Sequence, residues 1–422
     1  VLPAALIAGT RRAALLTVLG LALGLWRTGF GPEPVAPSEG WQSQRCVVAS
    51  IPTVGRMDGW VCDVASDAMK FRARFVSAEP DLIPGDRVVL FGNLRPRTLA
   101  SGEQAWVLDR TRIEHLEYRG SRIWKWVASV RRRYVEFIAA TTPENAGIMD
   151  ALTIGAREYL PEGEPAKFAA AGMLHAIAAS GLHVFVLAAF AEFLLGLLPV
   201  PRYAIILGVA MLLGVYLLAS GLHPSTLRAS IAAVAFRSAY LVRRESDLLS
   251  ALSLASLIVL AMDPGELTRL GFQLTMVAGV FLSLFARYEP LGERGLIPYA
   301  RNWFGAQLRL GILATAVTAP IVAFHLHELS LAAPVTALAV AIFLPVVLVL
   351  AMGGFCVQFL VPSVGAGMIL GASQLTGNIQ GIASLAAEWR WASVSVPPFP
   401  GWWIAVPFGA ALAVWRPTVR PA

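Results

Sequence analysis

His175-Ala-Ile-Ala-Ala-Ser-Gly-Leu-His183-Val184 places two histidines, a serine and a glycine inside a run that is otherwise apolar from Phe168 to Pro199. Imidazole and hydroxyl groups are costly to bury, and ionisable side chains at membrane depth usually face a protein interior or a water-filled path. On an unbroken helix the two histidines would lie about 80° apart in azimuth, with Ser180 on the His183 face at i, i+3. His175, Ser180 and His183 would then line one wall. Gly181, with the small residues Ala169 to Gly172 and Ala176 to Ser180, permits close helix approach or a local break that exposes backbone carbonyls. The competing reading is purely structural, since serine and histidine also hydrogen-bond packed helices to one another.

The rest of the chain supplies the lipid setting. Of 422 residues 56% are hydrophobic and 14% charged, against roughly 45 to 50% and about 25% in soluble domains. Mean hydropathy is +0.64. Apolar segments recur near Phe168 to Leu198, Tyr203 to Ala219, Ser225 to Val242, Leu248 to Met262, Leu270 to Ala286, Leu308 to Phe324, Ala333 to Leu360, Ala366 to Ala387 and Trp402 to Trp415. Most reach the roughly 17 to 25 residues that cross a bilayer. Arg202, then Arg243 and Arg244, then Arg287, Arg294 and Arg301 mark alternate loops. The net charge of +7 therefore reads as topological, cytoplasmic loops being rich in Lys and Arg, rather than as the mark of a polyanionic partner.

Before this region, Ala13 to Phe30 follows Arg11-Arg12 and precedes a Pro-rich linker, Gly31 to Pro37, with no clear cleavage site. It reads as a retained anchor. From Trp41 to about Tyr118 the pattern turns to short β-rich runs, Gln44 to Ile51, Gly59 to Val64, Lys70 to Phe75, Arg87 to Asn93 and Ala105 to Leu116, separated by turn-formers such as Pro84-Gly85-Asp86. Five such strands fit a small barrel of the OB kind. That fold often holds single-stranded nucleic acid on a basic, aromatic face, yet twelve acidic residues balance twelve basic ones between Glu33 and Arg122. Trp60, Phe71, Phe75 and Trp106 serve either as stacking platforms or as core. Hairpin pairing centred near Val54 would set Cys46 opposite Cys62, close enough for a disulfide in an oxidising compartment, the alternative being two semi-buried thiols. Positive-inside logic places this domain outside, in agreement with Arg11-Arg12.

Between the two parts, Ser121 to Ala140 carries Ile123, Val127, Val130, Tyr134 and Ile138 at helical spacing, with Arg122, Lys125, Arg131, Arg132 and Arg133 on other faces. With Trp124 and Trp126 it reads as an interfacial helix against membrane lipids. The alternative is a basic collar that gathers phosphates at a pore mouth.

Several chemistries find little support. A Ser–His hydrolase needs an orienting carboxylate and an oxyanion hole, and the apolar segment offers only Glu192, more than two turns beyond His183. His325-Leu-His327-Glu328 resembles a metal-ligand pair but has no companions and reads as a surface loop, and no paired Cys-x-x-Cys occurs, so no metal or cofactor is expected. Nothing resembles a Walker nucleotide loop. In His223-Pro224-Ser225-Thr226-Leu227-Arg228, Pro224 suits the first helical turn. Arg228 lies one turn inside, where it would either snorkel to the interface or meet incoming phosphates.

These blocks carry a resemblance. Ala171-Gly-Met-Leu-His175 through Ser180-Gly-Leu-His-Val184 is similar to the His-Leu-Leu-Ala-x-Ser-Gly-Leu-His-Val signature of the ComEC-type competence family, bacterial inner-membrane channels for transforming DNA. Ala151-Leu-Thr-Ile-Gly155 with Arg157 resembles the lead-in to that signature. Pro224-Ser225 with Arg228-Ala229, Gly271-Phe-Gln-Leu-Thr275, and Thr318-Ala-Pro-Ile321 before His325 resemble further blocks. Ala156 departs from the pattern where an acidic residue belongs, as does Pro334 to Leu338, which lacks an Asn. The resemblance implies that single-stranded DNA is carried inward, with an uptake apparatus delivering it outside and motor or strand-binding proteins acting inside. Many members continue into a metallo-β-lactamase-like nuclease; here the sequence stops at Ala422, so that domain was never present, is encoded separately or has been cut off.

The expectation is thus a polytopic α-helical membrane protein with an inserted small all-β OB-like barrel domain near the N-terminus. It comprises an anchor over 1–32, an exported β-domain over 33–120, an amphipathic helix and connector over 121–166 and a multispanning domain over 167–422. Its setting is the bacterial inner membrane and its role a passive DNA channel, not an enzyme. The DNA path is assigned to His175, Ser180, Gly181, His183 and Arg228, and a path within one subunit or between the copies of a homo-oligomer fits equally. The rival readings are a small-molecule transporter and an intramembrane scaffold or enzyme.

Overall fold

The structure, a computed structural model, describes residues 39–48, 53–54, 60–66, 70–75, 82–98, 104–118, 121–242, 247–285, 296–389 and 392–399. The expected anchor, the apolar segment at Trp402 to Trp415, the basic loops at Arg243, Arg244, Arg287 and Arg294, and the side chains of Trp60 and Arg301 lie outside them.

Six strands form the N-terminal sheet: β1 (Gly40–Val48), β2 (Thr53–Val54), β3 (Trp60–Ala65), β4 (Lys70–Phe75), β5 (Arg87–Thr98) and β6 (Gln104–Tyr118). Period-two alternation sorts the faces, as in β1, where Trp41, Ser43, Arg45 and Val47 point out while Cys46 and Val48 are buried. The spatial order is β1-β5-β6-β4-β3-β2, and β1 also pairs with β3. All neighbours are antiparallel except β4 and β6, which run parallel. Phe71 and Phe75 are buried with Leu90, Leu94 and Leu108, and Trp106 packs against them. Core, not stacking, is the role of these three aromatics. At the expected turn Gly85 takes a φ of +90°, and Asp86 accepts the Ile83 N–H at 3.0 Å.

Of the two readings of Cys46 and Cys62, the structure has the thiols. Val47 stands opposite Ala65 and Val48 opposite Val64, so the β1–β3 register carries Cys46 past Ala65 rather than to Cys62. Both residues remain buried thiols. Cys46 donates to the Val88 carbonyl at 3.7 Å, and burial pushes its thiol up to about 12.

The helical part begins with α1 (Arg122–Thr141), α2 (Ala146–Ile154), a 3-10 turn (Arg157–Tyr159) and α3 (Glu164–Ala170). It continues through α4 (Gly181–Gly196), α5 (Arg202–Ala219), α6 (Pro224–Ser238), α7 (Leu248–Met262), α8 (Leu270–Phe285), α9 (Leu296–Leu326), α10 (Ala333–Val357) and α11 (Pro362–Glu388). A two-stranded ribbon, β7 (Glu328–Ser330) with β8 (Ser393–Ser395), joins the start of α10 to the end of α11. Among the described residues three helical stretches are long and apolar enough to cross a membrane: Arg202–Ala219, Phe304–Leu326 and Ala333–Val357. In α5 the residues Tyr203, Leu207 and Met211 recur on an exposed stripe while Val209, Leu213 and Tyr216 are buried. An all-round apolar helix with one packed face is what lipid contact requires.

The fold corrects one reading. The run Phe168 to Leu198 is two helices, α3 and α4, with Ala171 to Ser180 unwound between them. Ala333 to Leu360 is, as expected, one helix, which runs to Val357 through Pro345. In α1, Val127, Tyr134 and Ile138 are buried while Ile123 and Trp126 stay exposed.

Candidate functional site around the unwound segment

Helix α3 stops because Gly172 takes a φ of +73°, the Met173 N–H bonds to Phe168 O at 2.7 Å and the Gly172 N–H to Ala169 O at 2.9 Å. This left-handed cap ends the helix in mid-segment. A β-carbon on Gly172 would lie 2.6 Å from the Ala333 Cβ and 2.8 Å from the Ser330 Oγ, so no other residue fits. Helix α4 then restarts with Ser180 at the N-cap, in extended conformation.

Unwound backbone in an apolar setting needs its polar groups satisfied by protein or water. Here side chains from four distant segments supply donors. Arg157 Nε donates to Ile177 O at 3.0 Å, and Ser225 Oγ donates to Ala179 O at 2.9 Å. Ser330 Oγ donates to Ala170 O at 2.9 Å and Thr336 Oγ1 to Ala171 O at 2.8 Å. Gly155, left-handed at +72°, ends α2 against Ala179, which a β-carbon would approach to 3.1 Å.

His183 locks the restart. Its Nε2 stands 2.8 Å from Leu152 O, a carbonyl that only accepts, so Nε2 carries the proton. Nδ1 is then the acceptor, taking the Ser180 N–H at 3.3 Å with the Ser180 hydroxyl at 3.0 Å. One neutral imidazole thus ties the last turn of α2 to the first turn of α4. Tyr216 donates to the adjacent Thr153 O at 2.9 Å, and Tyr134 donates to the Thr153 hydroxyl at 2.8 Å. The carbonyls left open at the end of α2 are closed by side chains of other helices.

The expected single wall is therefore divided. His183 is wholly buried, Ser180 half-buried, and His175 exposed on the unwound segment with its Nδ1 3.2 Å from Gly172 O. Gly181 is exposed, and a β-carbon there would meet only Ala229 Cβ at 3.8 Å. Gly181→Ala is accordingly expected to change thermal stability by less than about 0.5 kcal/mol, measured on the full chain in detergent.

Arg228 does not snorkel to the interface. It is 1% exposed; one guanidinium nitrogen donates to Glu266 Oε2 at 2.9 Å and the other to Gly271 O at 2.8 Å and Thr275 Oγ1 at 3.3 Å. His325, in the last turn of α9 rather than a loop, lies 2.9 Å through Nε2 from Gln273 Oε1. Among the described residues no group of His, Cys, Asp and Glu converges to hold a metal ion.

Sequence reading missed Tyr134, Tyr216, Thr336 and Glu266, and with them Asp150, which is 1% exposed in α2. Thr336 sits inside Pro334 to Leu338, the stretch that departs from the expected pattern, and Ala156, the other departure, is buried with its N–H on Asp150 O at 3.3 Å. A signal was present only for Tyr216 and Tyr134, whose hydroxyls must find partners when buried.

Every block that carried the resemblance thus meets a neighbour: Leu152 and Arg157 touch the segment 177–183, Ser225 touches Ala179, Arg228 touches Gly271, and Gln273 touches His325. Residues 152–419, more than half of the chain, match the Competence protein family. A curated relative, ComE operon protein 3 of Bacillus subtilis (strain 168), is 26% identical over 206 residues, covering 49% of this chain and 26% of the relative. The chain therefore aligns with about a quarter of that protein's length. No solved structure matches the chain. A family match of this extent, seated on blocks that converge in space, makes the chain a member of the competence protein family.

Proposed function

We propose that this chain is the membrane conduit through which single-stranded DNA enters the cytoplasm during transformation. The observation that carries the reading is the helix broken at Ala171 to Ser180 and held open by hydrogen bonds from Arg157, Ser225, Ser330 and Thr336. Interrupted helices at membrane depth occur where backbone is buried in protein or lines a water-filled cavity. His175, exposed on that segment, and Ser180 beside it are polar groups without fixed charge, suited to a polyanion that must bind and leave. The chemistry is passage, not catalysis; the drive comes from motor or strand-binding proteins inside, and the strand from an uptake apparatus outside. The setting is the bacterial inner membrane.

The β-domain fits the same role as a closed OB-like barrel on the outer side. Supporting closure, β1 pairs with both β5 and β3, and β4 and β6 are parallel within an otherwise antiparallel ring. Its aromatic platform is not the core set but Trp41, 54% exposed and stacked on Phe91 with ring centroids 5.5 Å apart, with Arg112 in register beside Phe91. An aromatic on the outward phase of a strand is solvent-facing at a cost, and bases stack on such faces. Trp41→Ala is expected to weaken oligothymidylate binding by about 1–3 kcal/mol, and Trp41→Phe to retain it, by fluorescence titration of the full chain.

The decisive experiment reconstitutes the full chain into vesicles with a labelled strand tethered outside and a nuclease enclosed. Conduction predicts degradation of the label. An intact strand, with the nuclease active on lysis, overturns the reading in favour of a scaffold.

A further inference from the structure

We propose that Glu266 is an internal stand-in for phosphate: Arg228 and Arg269 form an anion site that its carboxylate fills in the structure and that a phosphodiester group takes when one arrives. This rests on the conduit reading and deepens it.

The two arginines converge on one carboxylate, each on a different oxygen. Arg228 donates to Oε2 at 2.9 Å and Arg269 to Oε1. The Arg228 fork is fixed before any ligand comes, because its other terminal nitrogen is held by Gly271 O and Thr275 Oγ1, and the Phe272 ring lies 5.3 Å from the guanidinium carbon. Its Nε, also buried, has no partner. The tetrahedral oxygens of a phosphate offer acceptors out of the carboxylate plane, and a rigid guanidinium fork suits them.

Stability alone does not explain the arrangement. Removing Arg228 and Glu266 from water costs several kcal/mol per ion, which apolar residues of equal volume would avoid. Access is one-sided: the Arg269 side chain is 49% exposed and shared with Asp263 at 3.7 Å, whereas that of Arg228 is 2% exposed. A phosphate would therefore reach Arg269, the half-open arm, before Arg228. Displacement also has a route to the broken helix, because Ser225 and Thr226, just before Arg228 on α6, both donate to Ala179 O.

The test uses the full chain in phosphatidylcholine nanodiscs and titrates fluorescein-labelled oligothymidylate over a range of salt. Glu266→Gln removes the competing charge and is expected to tighten binding about tenfold at low salt. Arg269→Gln, whose side chain is half in solvent, is expected to fold normally and to flatten the log–log salt slope by about 0.7, the value of one lost phosphate contact on a single strand. An unchanged slope in Arg269→Gln, with strand binding by wild-type protein intact, overturns the anion site alone; absence of wild-type binding overturns the conduit reading and the site with it. Should Glu266→Gln fail to fold, Arg269→Gln decides by itself. Competition by added phosphatidylglycerol in wild-type protein, lost in Arg269→Gln, places a lipid phosphodiester in the same site.

Discussion

His183→Ala is expected to abolish uptake of labelled DNA and to lower the stability of the full chain by about 3 kcal/mol, the sum of an orphaned buried carbonyl and a cavity that only partly collapses. The size follows from what the imidazole joins. It closes Leu152 O at one end and the Ser180 N–H at the other, so its loss frees α2 and α4 from each other at once. His183→Phe keeps a ring of similar bulk without either hydrogen bond. Phenylalanine should therefore fail like alanine, and His183→Gln, which keeps a donor, should regain part of the stability. Thermal melts in detergent and uptake at matched protein level read the two effects. Wild-type uptake in His183→Ala would remove the residue from the site.

The second large effect is at Gly172. Alanine there meets Ala333 Cβ at 2.6 Å and Ser330 Oγ at 2.8 Å, in a backbone conformation of φ +73° that L side chains resist. The strain of about 1–2 kcal/mol and overpacking of about 1–3 kcal/mol add to a loss of roughly 2–5 kcal/mol. Because the clash pushes on Ser330 and Ala333 together, the donors to Ala170 O and Ala171 O move as well. Gly172→Ala should thus give a chain that inserts but shows increased proteolysis between Met173 and Ser180, whereas Gly181→Ala resembles wild type. Equal protease resistance in the two would refute the role given to the left-handed cap.

What the sequence disclosed and what it withheld divide along the range of the interactions. Strand positions in the β-domain were readable because alternation and turn residues such as Pro84-Gly85-Asp86 are local; β3 and β4 came out within a residue of their expected limits. Pro224 at the first turn of α6 was likewise local chemistry. The Cys46–Cys62 pair failed on register, which the β1–β3 pairing sets and a turn motif alone does not. The small residues at 169–172 and 176–180 signalled that a break was allowed. They could not say that Gly172 must stay glycine, because the atoms a β-carbon would meet there, Ala333 Cβ and Ser330 Oγ, come from about 160 residues away. For the same reason His175 and His183 were placed on one wall: periodicity assumes continuity. Arg228 was recognised as important, but its partner Glu266 was not, because nothing in Asp263-Pro-Gly-Glu266 announces a buried ion pair.

The donors to Ala170 O and Ala171 O come from Ser330 and Thr336, which leave the ribosome long after the residues they serve. While the nascent chain ends short of Ser330, those carbonyls have no such partners, and Phe168 to Leu198 is better accommodated as one continuous span. The hydrogen bonding of the break is therefore complete only once β7 and the start of α10 have been made. Ribosome-bound chains arrested before Ser330 should shield His175 from a membrane-impermeant histidine reagent that reaches it in the finished protein.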